Sequence, residues 1–223
     1  MDFIFMLTRA DQTVPDCLEV LDYILPVGLK HIGFKDVGVR KETLAELTRR
    51  IRDSGATSYM EVVSTSREAC YQSARVAREI GIERLLGGTD VDTMLGILAG
   101  SDVEYYPFPG RPHDHPTRLG GSAEEVEMQC RDFMARGCAG CDLLAYRATE
   151  ADPLALVRAA RKGLGRGYLI SAGSVGKRDQ IRGLADAGCD AFTIGSAAFD
   201  GSFSPTKGSL RSQLRDILAA GLS

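Results

Sequence analysis

Two short segments in the last quarter of the chain combine glycine with serine and alanine directly after apolar runs. Residues 170–175 read Ile-Ser-Ala-Gly-Ser-Val, and residues 193–198 read Thr-Ile-Gly-Ser-Ala-Ala. A phosphate group binds where several backbone N–H donors converge and no bulky side chain holds the anion away. The alternative is that both glycines only permit tight turns. We predict a phosphate-binding site formed by Gly173, Ser174, Gly195 and Ser196.

Lys35 and Glu61 stand at the ends of two other apolar runs. Ile32 and Phe34 are the bulky pair of the first run and should face a layer of helices, so Lys35 points the other way. Glu61 is expected to point the same way as Lys35, because a charge is costly in an apolar layer. A lysine there can protonate an enolate oxygen, form an imine or attract an anion, and a nearby carboxylate can move a proton. We predict Lys35 and Glu61 as the catalytic pair; the alternative is a buried ion pair that only joins two strands.

Three further side chains are predicted to contact a substrate, namely Arg9, Arg147 and His113. The planar guanidinium of Arg147 suits a carboxylate or a second phosphate, although a solvated loop arginine is the alternative. His113 begins a His-Asp-His run within the Pro- and Gly-rich segment 107–121. Two such histidines can share a metal, but the sequence identifies no third ligand, so we predict no metal. We expect a mobile lid carrying one catalytic histidine, or an inert polar loop.

Weaker candidates also follow predicted strands. Asp11 follows the first strand, and Asp36 is either a second acid or an acceptor of backbone hydrogen bonds. Asp90 either faces the substrate or caps the next helix. His31 lies early in its strand and is expected to be a packing residue.

Eight apolar, strand-like runs alternate with helical patterns and must position these groups. The strands are expected near 3–8, 30–36, 57–63, 82–87, 103–106, 141–146, 168–171 and 191–194. Helical periodicity is clearest at 41–53, 66–80, 123–136 and 177–187. A doubly wound sheet is disfavoured, because the first strand leads into Thr-Arg-Ala-Asp without a glycine fingerprint. The alternation predicts an α/β fold, a single (β/α)8 TIM barrel over residues 1–223 with a parallel eight-stranded core.

The segments 171–175, 185–191 and 194–197 resemble the ribulose-phosphate-binding barrel superfamily. The resemblance implies a barrel whose last two strand ends hold a phosphate through Gly173, Ser174, Gly195 and Ser196. The resemblance does not imply which reaction the protein catalyses. Ala172 stands where the mannosamine-phosphate epimerase has a glutamate, and the strand-six lysine of class I aldolases is missing near Tyr146 and Arg147.

Composition narrows the function classes further. The 223 residues carry 27 basic and 30 acidic side chains and a net charge of −3, which argues against nucleic-acid binding. No apolar run is long enough to span a membrane, and no secretory signal is recognised, so a cytoplasmic location is expected. Cys138 and Cys141 have the spacing of a redox or zinc pair but lack a second pair, and we predict reduced packing cysteines.

The sequence therefore predicts an enzyme acting on a small phosphorylated carbonyl metabolite. Isomerisation, epimerisation and aldolase-type cleavage stay open, and no cofactor is predicted. The partner is the phosphorylated metabolite, and the size of the chain permits a homodimer. The alternatives are a flavin-mononucleotide barrel, whose cofactor phosphate would use the same two loops, and a non-catalytic sensor of a phosphorylated ligand.

Overall fold

The computed structural model of the protein describes residues 1–64 and 66–222. Eight parallel strands form its main sheet. They are β1 (Asp2–Met6), β2 (His31–Lys35), β3 (Thr57–Glu61), β4 (Arg84–Leu86), β5 (Glu104–Tyr106), β6 (Gly140–Leu143), β7 (Tyr168–Ser171) and β8 (Ala191–Ile194).

The strands follow each other in chain order around a barrel. Continuous ladders run from β6 through β7, β8, β1, β2, β3 and β4 to β5. The seam between β5 and β6 is joined by two backbone hydrogen bonds, Ala139 N to Tyr105 O and Asp142 N to Pro107 O, both 3.0 Å long. The predicted parallel (β/α)8 barrel is confirmed.

Helices cover the outside of the sheet. They are α1 (Cys17–Ile24), α2 (Lys41–Asp53), α3 (Arg67–Ile80), α4 (Val91–Leu98), α5 (Ala123–Arg136), α6 (Pro153–Leu164), α7 (Arg178–Asp186), α8 (Ser196–Phe199) and α9 (Leu210–Leu222). Hydroxyl and carboxyl caps set several starts: Ser66 accepts from Ala69 N, and Ser122 from Glu125 N. Across residues 1–64 and 66–222, no helix has both the length and the apolar character needed to cross a membrane.

Side chains alternate between two apolar layers, as strand geometry requires. Ile32 and Phe34 belong to the large layer between sheet and helices, as predicted. The barrel interior is a smaller cluster that includes Ile4, Met6 and Tyr59. The six cysteines are buried free thiols, and the sulfur of Cys141 lies 3.7 Å from that of Cys130.

Two loops on the carboxyl side of the strands fold into small hairpins that the sequence did not predict. Residues Thr8–Arg9 pair with Gln12–Thr13 after β1. Arg111–His113 pair with Arg118–Gly120 within the long segment after β5. The prediction for the sixth strand was too long, because β6 ends at Leu143 and Ala145–Arg147 form a tight 3₁₀ turn.

Candidate active site at the mouth of the barrel

A cavity of about 320 Å³ opens at the carboxyl ends of the strands. One side is formed by the segments after β7 and β8, and the floor by charged side chains from the ends of β2 and β3 and from two loops. Its lining includes seven of the nine residues predicted to form the site: Lys35, Glu61, Arg147, Gly173, Ser174, Gly195 and Ser196.

The loops after β7 and β8 present unused backbone donors to this cavity. Among residues 1–64 and 66–222, no acceptor is found for the amide N–H groups of residues 173–175 and 195–197. The next amides differ, since the side chain of Gln180 accepts hydrogen bonds from Gly176 N and Lys177 N. Unused donors on two adjacent loops are what an anion-binding site requires.

Gly173 and Gly195 leave room for an anion, and the packing of the surrounding residues also requires a glycine at both positions. A Cβ at Gly195 would lie 2.6 Å from Thr8 Oγ1 and 2.8 Å from Thr8 O. Gly173 has φ +75°, and a Cβ there would overlap the guanidinium of Arg147. Ser174 is also in the left-handed region, at φ +60°, which is uncommon for a residue with a side chain.

Lys35 and Glu61 meet on the floor of the cavity because their strands are in register. The two residues are direct partners in the β2–β3 ladder, and Lys35 Nζ lies 3.1 Å from Glu61 Oε1. Lys35 Nζ also donates to Asp11 Oδ1 at 2.7 Å. Burial lowers the pKa of Lys35, but the negative charges of Glu61 and Asp11 outweigh burial and raise it. Lys35 is therefore a cation at neutral pH.

Arg147 is tied across the mouth to the same aspartate. Its Nη2 lies 2.9 Å from Asp11 Oδ1 and its Nη1 lies 3.1 Å from Asp11 Oδ2, and Nη1 also donates to Thr117 O at 3.2 Å. Burial raises the pKa of Asp11, but the hydrogen bond from Arg147 and the charge of Lys35 lower it well below its usual range. The fork of Arg147 is thus already occupied by a carboxylate of the protein.

Asp11 is held in place by the hairpin after β1. Thr13 Oγ1 donates to Lys35 O at 2.7 Å and accepts from Lys35 N at 2.9 Å, so the hairpin is fastened to the end of β2. Ala10 and Asp11 form its turn at φ +47° and +58°. The sequence named Asp11 only as a weak candidate, because no local pattern shows that it contacts residue 147.

Asp142, in the middle of β6, was missed altogether. Its side chain is fully buried, and neither carboxylate oxygen has a hydrogen-bond partner within the described residues. Burial raises its pKa, the negative charge of Glu61 raises it further, and the charges of Lys35 and Arg147 oppose this without cancelling it. The signal available in the sequence was a carboxylate in an otherwise apolar strand, which is costly unless it is protonated or functional.

Two predicted substrate contacts lie away from the cavity lining. Arg9 packs over the ring of Phe199 at 4.7 Å and donates to Phe199 O at 3.2 Å. His113 is partly exposed on its hairpin and pairs with Asp114 at 2.9 Å. The same hairpin borders a second, more open groove of about 570 Å³ through Thr117 and Arg118.

The weaker candidates are engaged elsewhere in the protein. Asp36 accepts hydrogen bonds from Val63 N and the hydroxyl of Ser73, on the helix side of the sheet. Asp90 caps α4 by accepting from Thr93 N at 3.3 Å. His31 lies at the opposite end of the barrel, where its Nδ1 is 3.0 Å from the hydroxyl of Tyr59.

Comparison with solved structures shows which proteins share this barrel. Orotidine 5'-phosphate decarboxylase from Pyrococcus horikoshii superposes with a TM-score of 0.69 at 9% identity, covering 99% of both chains. Thiamine phosphate pyrophosphorylase from Pyrococcus furiosus gives 0.66 at 12% identity, covering 99% of this chain and 94% of that one. A native KDPGal structure gives 0.64 at 12% identity, covering 100% and 93%.

These likenesses concern the fold. The resemblance to the ribulose-phosphate-binding barrels is confirmed at that level, because these neighbours share the parallel eight-stranded barrel. No protein-family model matches the sequence, and no curated protein sequence matches it.

Proposed function

We propose that the protein is an enzyme that binds a small phosphorylated carbonyl compound and moves a proton on the carbon next to the carbonyl group. The observation that carries the proposal is the composition of one cavity. Unused amides of the loops after β7 and β8 line one side, and the paired side chains of Lys35 and Glu61 lie on its floor. A phosphate on the amides would place the rest of a short substrate over that pair.

The charge state of Lys35 favours proton transfer over imine chemistry. An imine requires a neutral amine, whereas the carboxylates of Glu61 and Asp11 raise the pKa of Lys35 and keep it protonated. A protonated Lys35 instead donates a hydrogen bond to the substrate carbonyl oxygen and stabilises the negative charge that develops there. Isomerisation or epimerisation therefore fits the site better than cleavage through a lysine adduct.

In this mechanism Glu61 is the base. Its carboxylate removes the proton from the carbon beside the carbonyl, and the electron pair moves to the oxygen that Lys35 holds. Glu61, now a carboxylic acid, returns the proton to the neighbouring carbon while the hydroxyl proton of that carbon passes to the oxygen that Lys35 holds, which gives the isomer. Epimerisation differs in that an acid on the opposite face supplies a proton to the original carbon, and Glu61 later releases its own proton to solvent. General acid–base catalysis of this kind contributes about 10²–10⁴-fold in rate.

Two of the structural neighbours have phosphorylated compounds in their names, orotidine 5'-phosphate and thiamine phosphate. This supports phosphate recognition by the shared barrel. Because their sequence identity to this chain is low, no reaction is inferred from them. The choice of proton transfer depends on Lys35 and Glu61 alone.

Proton exchange with solvent tests the proposal directly. The purified protein is incubated with dihydroxyacetone phosphate or ribulose 5-phosphate in D2O, and the loss of the C–H signal is followed by proton NMR. We expect exchange with at least one of them, and its loss in Glu61→Gln with binding of inorganic phosphate retained. Glu104→Gln is the matched control, because Glu104 is also a strand glutamate but pairs with Arg84 at 2.9 Å outside the cavity lining.

Three results would contradict the proposal. They are exchange that survives Glu61→Gln, an absence of exchange with both compounds, and a lysine adduct that borohydride traps on Lys35. The last would assign the site to imine chemistry.

A further inference from the structure

Every cation on the floor of the cavity is already neutralised by a carboxylate of the protein. Lys35 contacts both Asp11 and Glu61, at 2.7 and 3.1 Å. Arg147 makes two contacts with Asp11, at 2.9 and 3.1 Å. A further carboxylate, that of Asp200, lines the same cavity. Of the charged residues in the cavity lining, two are basic and three acidic, so the floor offers no uncompensated positive charge.

We infer that this site selects phosphate monoesters whose other end is uncharged, such as hydroxy ketones and hydroxy aldehydes, and rejects those that end in a carboxylate; Asp11 is the residue that sets this selectivity. The inference depends on the proposed phosphate site and adds the class of substrate. A carboxylate placed over Lys35 would lose water while facing Asp11 and Glu61, and no cation among the described residues of the cavity lining is free to compensate it. A neutral carbonyl or hydroxyl group needs only the hydrogen bonds that Lys35 can donate.

The geometry of Asp11 makes it more than an incidental partner. The side chains of Asp11 and Lys35 are only 10% and 7% exposed, so their interaction is weakly screened by solvent. Asp11 bridges β2 and the turn after β6, because a single carboxylate accepts from both Lys35 and Arg147. The hairpin that carries it is fastened to the backbone of Lys35 through Thr13. Removing this one negative charge would free two cations at once.

Two probes that differ only at the far end test the inference. Glycerol 3-phosphate ends in a neutral hydroxymethyl group, and 3-phosphoglycerate has a carboxylate at the same carbon. Isothermal titration of the intact wild-type protein should give at least tenfold tighter binding of glycerol 3-phosphate. In Asp11→Asn, which retains the shape of the side chain, the preference should shift by at least tenfold towards 3-phosphoglycerate.

Glu104→Gln controls for a simple change in net charge. Glu104 pairs with Arg84 at 2.9 Å and lies outside the cavity lining. We expect this substitution to change the affinity for both probes by a similar factor and to leave their ratio within about twofold.

The possible outcomes separate the inference from the proposed function. If neither probe nor inorganic phosphate binds the wild-type protein, the phosphate site itself is refuted, and the inference with it. If both probes bind with equal affinity, or 3-phosphoglycerate binds more tightly, the phosphate site stands and the selectivity is refuted. If Asp11→Asn does not fold, the wild-type ratio still decides whether carboxylates are rejected, and Asp11→Ser replaces it as the test of which residue rejects them.

Discussion

Replacement of Lys35 by methionine separates the catalytic interpretation of the Lys35–Glu61 pair from the structural one. Methionine keeps most of the length and apolar volume of the lysine stem, so the main loss is the charge. Asp11 retains its two contacts with Arg147 in this variant. The only ion pair of Glu61 within the described residues is with Lys35, so its buried carboxylate is left without a partner.

The expected loss of stability follows from the unpaired carboxylate of Glu61. Breaking a buried ion pair by removing one partner costs about 3–5 kcal/mol, whereas replacing both partners by neutral groups is often close to neutral. We expect Lys35→Met to lose stability in that range, out of the about 5–15 kcal/mol that such a domain has in total. The double variant Lys35→Met/Glu61→Gln should regain about 1–3 kcal/mol of this loss, because residues in direct contact show coupling energies of that size.

Urea unfolding followed by circular dichroism at pH 7 measures the four free energies of this cycle, and deuterium exchange into dihydroxyacetone phosphate measures activity on the same samples. The double variant should fold and bind inorganic phosphate but show no exchange. If it regained exchange, Lys35 and Glu61 would serve only to join β2 and β3. If Lys35→Met were as stable as the wild type, the assignment of a buried, uncompensated Glu61 would be wrong.

Three further substitutions test other parts of the structure. Gly195→Ala should lower the free energy of unfolding by about 1–3 kcal/mol and weaken phosphate binding, because the new Cβ would lie 2.6 Å from Thr8. Gly208 has open space around it, so Gly208→Ala should change neither quantity. Urea unfolding measures the stability and calorimetric titration measures the phosphate affinity. Asp142→Asn should gain stability relative to the wild type as pH rises above 4. Burial raises the pKa of Asp142 in the fold, so the unfolded chain ionises first and the wild type loses up to about 1.4 kcal/mol per pH unit until the pH reaches the folded pKa. An unchanged difference between pH 4 and pH 7 would contradict the raised pKa. Arg84→Met should lower the free energy of unfolding by about 2–3 kcal/mol, because the guanidinium lies within 6 Å of three tyrosine rings. The affinity for phosphate should not change. Weaker phosphate binding would show that the two ends of the barrel are coupled.

The parts of the site predictable from sequence are those set by strand periodicity. Ile32 and Phe34 mark the outward face of β2, so the inward direction of Lys35 follows from alternation alone. The direction of Glu61 follows from the cost of a charge in the apolar helix layer, and the ladder of the structure places it opposite Lys35. The glycine-containing ends of β7 and β8 lie at the mouth for the same topological reason, whichever ligand they bind.

The parts that sequence could not predict depend on contacts between distant residues. Arg147 was expected to hold a substrate, but Asp11, far away in the chain, already occupies its guanidinium. The 3₁₀ turn at Ala145–Arg147 directs Arg147 across the mouth, and an apolar pattern does not reveal where a strand gives way to such a turn. Asp142 was missed because its strand was interpreted as uniformly apolar.

The junction between β5 and β6 is the place where we expect the strands of this barrel to separate most easily. Every other neighbouring pair of strands is a regular ladder, whereas Ala139 N and Asp142 N provide the two hydrogen bonds identified across the junction in the described chain. Transient separation of the cylinder wall should begin there, so these two amides should take up deuterium sooner than those of β1, which is flanked by ladders on both sides. Because Asp142 belongs to this junction, each such opening would also give water brief access to its otherwise sealed carboxyl group.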